Sequence, residues 1–282
     1  MVSRRVLSNL GIYAYGLGAI ALGVTGLVWG DFATTWQRVG ENVHYHHALA
    51  SLAAFCELFG GVAILWRRTA GTGAAMLTIL YSIFTLLWVP PIIATPQVYD
   101  GWGNFFEELS LVIAGAVVYA WSAPSDSVWA SRRAQISRVY GICVISYGLD
   151  HLFYIKGAAT WVPRWIPPGQ VFWIIATAIC FLLAAFAILS GIQMGLASRL
   201  LTAMIVSFEA LVWAPKLFAT PHAHFMWAGN AVCVALVGAA WVVSDALSEP
   251  RQTTLKPTSS QLRGHRLEPR IPAVLEKSKE NV

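Results

Sequence analysis

Charge is what this sequence has least of. Asp, Glu, Lys and Arg make up 12% of its 282 residues, against about 25% in an ordinary soluble domain. That shortage excludes a solvated globular fold. Cysteine is also scarce: Cys56, Cys143, Cys180 and Cys233 are the only four, with no C-x-x-C pair. All four fall in apolar stretches, which argues against a disulfide framework or a dithiol redox centre. No recognised metal or catalytic spacing such as H-E-x-x-H is present, so no residue is assigned as catalytic.

What is there is apolar, at 57% of the chain. Runs 9–30, 69–99, 165–198 and 217–244 carry no Asp, Glu, Lys or Arg, and each can supply the roughly 20 residues that cross a bilayer as a helix. Four more spans, near 48–66, 102–122, 139–155 and 200–214, are apolar but carry acids. The expected fold is all-α, a polytopic membrane protein of eight transmembrane helices.

The formal net charge of +5 would suggest nucleic acid in a soluble protein. Here much of the excess follows Glu249, at Arg251, Lys256, Arg263, Arg266, Arg270, Lys277 and Lys279. Residues 247–282 are expected to form a disordered basic cytoplasmic tail. Its partner is then anionic membrane lipid, with no nucleic acid.

A shift of 125 positions brings the two halves into register. Tyr15, Gly16, Ile20, Gly23, Leu27, Ala33, Thr35 and Trp36 meet Tyr140, Gly141, Ile145, Gly148, Leu152, Ala158, Thr160 and Trp161. Further on, LLWVPPIIATP (86–96) meets LVWAPKLFATP (211–221). Such identities at both ends of a long window indicate duplication. Residues 1–125 and 126–246 are therefore expected to be two four-helix bundles. An even helix number per unit makes them parallel repeats.

The basic N-terminus before an apolar run resembles a signal peptide. Its first span has a counterpart near 139–155, however, so we expect it to be retained. Arg4, Arg5, Arg67, Arg68, Arg132, Arg133, Arg138 and Arg199 fall on one side of the membrane with the tail, and only Arg38, Lys156, Arg164 and Lys216 on the other. The positive-inside rule then makes both termini cytoplasmic, with interfacial tryptophans at both faces. The expected location is a bacterial inner membrane.

The candidate ligand or proton groups are acids inside the spans. Glu57 lies ten residues before Arg67, about 15 Å along a helix and so near mid-membrane. Glu209, ten residues after Arg199, is expected at a similar depth. Intramembrane carboxyls normally face the bundle interior with a partner, in a structural tie or a functional site. Glu107 and Glu108 are neighbours and should point about 100° apart, and Asn104 can share a face with either. The matching stretch WAGNAVCVAL keeps Asn230 but no acid. Asp150, beside His151, can meet Glu209 or Lys156 across the bundle, with a purely structural role as its alternative. The stretch WVPRWIPPG (161–169) reads as an interfacial anchor, with a pocket cap as its alternative.

His44, His46 and His47 crowd one outer connection and are the candidate metal ligands, since imidazole suits zinc, copper, nickel or haem iron. Histidines in a short loop more commonly stay solvated, so a metal is not the favoured expectation.

CELFGGVAILWRRTA (56–70) and WGNFFEELSLVIAGA (102–116), with GLDHLFY, TWVPRWIPPG, FWIIATA and AILSGIQMGLASRLL in the second half, resemble the DoxX-like membrane family over roughly 15–245. The resemblance implies a four-helix unit and an association with quinone-coupled sulfur oxidation, terminal oxidases and other membrane redox complexes. It directs attention to Glu57, Asn104 and Glu107. The leading expectation is a quinone- or lipid-binding accessory subunit of a membrane redox system, with quinone the candidate cofactor near Glu57 and Glu107. The alternatives are a small-molecule or lipid transporter, whose spans would be broken at mid-membrane, and a non-catalytic assembly partner. Whether the protein is an enzyme is left open.

Overall fold

The structure is a computed structural model that describes residues 2–248, with side chains from residue 10 onward. The expected tail beyond Ser248 lies outside the described residues. Among the described residues all regular structure is helical: α1 (Val2–Trp29), α2 (His46–Leu65), α3 (Ala70–Leu87), α4 (Val89–Ala94), α5 (Tyr99–Ser122), α6 (Val128–Phe153), α7 (Ile155–Ala159), α8 (Gln170–Ser190), α9 (Met194–Phe208), a π-helical turn (Glu209–Trp213), α10 (Ala214–Ala219) and α11 (His224–Ser248).

Seven segments are long and apolar enough to cross a membrane, and the chain is a multi-pass membrane protein. The expected eighth, 139–155, falls mostly on α6, which ends at Phe153. At 26 residues α6 spans about 39 Å, so length is not what separates it. It is the most polar of the long helices, with Arg132, Arg133 and Arg138 in its first half and Asp150 and His151 near its end.

Local chemistry sets several helix ends. The Ser127 hydroxyl caps α6 by accepting the Ala130 N–H at 3.1 Å, one of the donors a helix start leaves unpaired. Pro90 and Pro91 open α4, where missing N–H groups cost nothing. Gly191 ends α8 at φ +80, a left-handed backbone that glycine adopts without a Cβ clash.

The neighbours of each helix pair off between the halves. In the first, α1 packs on α2, α2 on α3 and α3 on α5; in the second, α6 packs on α8, α8 on α9 and α9 on α11. The halves meet along α1–α11 and α5–α6, and α5 also touches α11. Close approaches repeat as well. A Cβ on Gly16 would meet Leu65 and one on Gly141 would meet Leu189; Gly23 and Gly148 face the carbonyls of Ala54 and Ala178. Helices in lipid gain most from tight van der Waals contact, which small residues permit. At the α1–α11 seam a Cβ on Gly18 would lie 2.4 Å from the Ala235 backbone, and one on Gly238 would lie 2.1 Å from Tyr15 N.

The largest departure from this pairing is in α9. Ser198, Leu201 and Ile205 hold the buried places of Ala74, Leu77 and Tyr81 in α3, 124 positions apart. Trp213 matches Trp88 at 125. One residue is added between them, and the Glu209–Trp213 turn absorbs it, with Ala214 N–H bonded to the Glu209 carbonyl five residues back. Single π turns of this kind concentrate at functional sites.

Candidate functional site: a cavity in the second half

A cavity of about 700 Å³ lies among α6, α7, α8, α9, the π turn and α11, and is closed by one face of α5 and by Trp36. Pocket volumes of about 300–1,000 Å³ are typical of small-molecule sites. Trp161, Val162, Pro163 and Ile166 line it, so part of the stretch expected to anchor the interface forms a wall of the cavity. Cys180 and Trp173 line it while exposed at the surface, so the cavity opens along α8.

Asp100, Glu107, Asp150 and His151 stand in an otherwise largely aromatic and aliphatic lining. Glu107 and Asp150 are brought together by the packing of α5 on α6. Gly103, one turn before Glu107, makes the room: a Cβ there would sit 3.3 Å from the Asp150 carboxyl. Asp150 therefore faces α5 and is within electrostatic range of Glu107 and Asp100. Trp36, from the loop between α1 and α2, donates its indole N–H to Glu107 at 2.6 Å. Trp36 is itself held by Trp88, whose indole N–H donates to the Trp36 carbonyl at 3.0 Å.

His151 Nδ1 is 2.9 Å from the Tyr147 carbonyl. A carbonyl can only accept, so Nδ1 carries the proton and Nε2 is left as an acceptor in the neutral ring. The imidazole stacks on Phe208 at 6.1 Å and packs against Phe181 at 5.3 Å. Trp161 lies 5.1 Å from Trp213, and Trp36 lies 6.0 Å from Trp213. This cluster joins the repeat-related pair Trp36 and Trp161. Gly229 permits it, since a Cβ there would fall 2.0 Å from the Trp213 ring.

The other candidate acids are elsewhere. Glu108 points away from Glu107, into the first half, where it shares a buried region with Glu57, Tyr15 and Tyr81. Glu57 accepts the Gln37 amide at 2.6 Å, and Gln37 accepts the Ala33 N–H at 3.0 Å. The Tyr15 hydroxyl donates to the Leu111 carbonyl at 2.8 Å. Among the described residues, Glu108 Oε2 and the Tyr81 hydroxyl have no hydrogen-bond partner. Asn104 is buried and donates to the Asp100 carbonyl on its own helix at 2.8 Å. Glu209 lies in the π turn, half-buried, hydrogen-bonded with the Cys233 thiol; its surroundings are unlike those of Glu57.

The histidine cluster is spread over separate structural contacts. His46 is 2.7 Å from Asp31 and 3.1 Å from the Gly40 carbonyl, His47 is 2.9 Å from the Gly30 carbonyl, and His44 is exposed against Tyr45. Among the described residues no three His, Cys, Asp or Glu side chains are placed to hold a metal ion. Burial would raise the Asp31 carboxyl, but the hydrogen bonds from His46 and the Phe32 N–H outweigh it and hold Asp31 below its ordinary range.

Sequence reasoning missed Asp100, Trp36 and Trp213 as parts of one site. The available signal was the repeat itself, which matches Trp36 with Trp161 and Trp88 with Trp213. No family model matches the chain, and neither a curated protein nor a solved structure does. Function is therefore read from the cavity and the buried acids.

Proposed function

We propose that this protein binds a lipophilic small molecule in the outer cavity of its second half. The observation that carries this is a cavity of about 700 Å³ with aromatic walls and a few convergent polar groups, reaching the surface at α8. Binding is the role assigned, because the wall sets a few carboxyls and an imidazole acceptor in a largely apolar lining.

The architecture proposed with it is eight membrane helices in two parallel four-helix units, α6 being the eighth, with both termini cytoplasmic in a bacterial inner membrane. The paired helix contacts support the repeat, and the arginine distribution supports the orientation. The DoxX-like resemblance adds a place beside a membrane redox complex and a quinone as one class of occupant. A transporter is the second reading, favoured by the π turn that interrupts the α9–α10 span beside the cavity. Substrate movement in sealed vesicles separates it from a static binder.

Native mass spectrometry of protein released from nanodiscs tests the binding role. A small molecule retained by the protein, and lost when Ala176→Trp fills the cavity, is the expected result. Retention of nothing, or equal retention by the filled variant, overturns it.

A further inference from the structure

We infer that the occupant of the outer cavity is an organic cation, an amine or quaternary ammonium on an apolar body. This rests on the reading of the cavity as a ligand site and names the ligand's charge. Two independent features of the wall point the same way.

The first is charge. Asp100, Glu107 and Asp150 line the cavity, and among the described residues no lysine or arginine does, His151 being the one titratable base in the lining. Glu107 accepts from the neutral Trp36 indole. An anionic occupant would be repelled. A neutral one would leave Glu107 and Asp150, both half-buried against a largely apolar wall, without a counter-charge, whereas a cation supplies it where reduced contact with water strengthens the attraction.

The second is the rings. Aromatic faces carry negative electrostatic potential and attract cations, most strongly for tryptophan and when water is excluded. Trp36, Trp161 and Trp213 all present to the cavity and lie within 6.0 Å of one another through Trp213. The surface already takes a cation: Lys216 Nζ sits 3.7 Å from the Trp161 ring centroid. Walls that combine rings with carboxyls suit an ammonium whose methyl or methylene groups contact the rings while its charge meets an acid. The remaining lining, including Ile174, Ile205 and Leu236, accepts the apolar body.

The test compares benzyltrimethylammonium with neopentylbenzene, a neutral molecule of the same shape, and with a short-chain benzoquinone, by calorimetric titration of the full chain in nanodiscs. The cation is expected to bind at least about tenfold more tightly than its neutral isostere. Asp150→Asn should abolish that preference while leaving the isostere's affinity unchanged. Trp161→Leu, or Glu107→Gln where Asp150→Asn does not fold, should also narrow it. Equal affinities for cation and isostere, or preference for the quinone, overturn the cationic assignment and leave the cavity as a ligand site. Binding of none of the three by folded protein overturns both.

Discussion

Trp36 and Glu107 are joined by a 2.6 Å hydrogen bond that ties the α1–α2 loop to the wall of a cavity in the second half. Removing the donor leaves a half-buried carboxyl without that hydrogen bond. Trp36→Phe is expected to destabilise the protein by about 1–3 kcal/mol and to weaken ligand binding, because Glu107 is freed to turn. Thermal unfolding in nanodiscs together with a binding titration checks both.

Glu57 and Gln37 allow a second test, because their hydrogen bond at 2.6 Å lies in the first half, away from the cavity. Glu57→Gln keeps an acceptor for the Gln37 amide, so it is expected to unfold near the wild-type temperature. Glu57→Leu leaves Gln37 unpaired in the interior and should cost about 1–3 kcal/mol. Neither should change the ligand affinity of the cavity, measured by titration on the fraction that remains folded.

The π turn sets the wall on which Leu211, Val212 and Trp213 meet the cavity. Deleting Ala210 removes the added residue and should return α9 to the regular register of α3. Helical content by circular dichroism is expected to persist, while ligand affinity falls at least about tenfold, or 1.4 kcal/mol.

Asp31 gives a pH dependence outside the membrane. Its folded carboxyl lies below its ordinary value, so the stability it contributes is fully present above the unfolded value near about 4 and is lost as pH falls through the lower folded value. The gap in unfolding temperature between wild type and Asp31→Asn is expected at pH 6 and should close by about pH 2.

The α1–α11 seam offers a packing test. Gly18→Leu would drive a side chain into backbone 2.4 Å from its Cβ. It should cost about 3 kcal/mol or more and lower the yield of monodisperse protein on gel filtration.

The helical membrane fold was legible because apolar runs are written directly into residue order. Gly16 with Gly141 and Gly23 with Gly148 even marked matching close contacts. The divergent direction of Glu107 and Glu108 also followed from the angle between successive residues. The site was less legible, because its members come from the loop at Trp36, the α5 face at Glu107, the end of α6 at Asp150 and the π turn at Trp213. Which of those faces meet depends on α5 packing against α6, a contact with no local signature. Glu57 drew attention as a mid-span acid, yet its carboxyl is engaged by Gln37. Glu209 was paired with it by depth, and the added residue of the π turn changed its surroundings.

The most direct measurement is a cryo-electron microscopy map of the protein in nanodiscs of native lipid, compared with that of Ala176→Trp. The account predicts non-protein density bounded by Glu107, Asp150 and Trp161 in the wild type and none there in the variant. A wild-type cavity closed by its own side chains, or ligand density beside Glu57 instead, would contradict it.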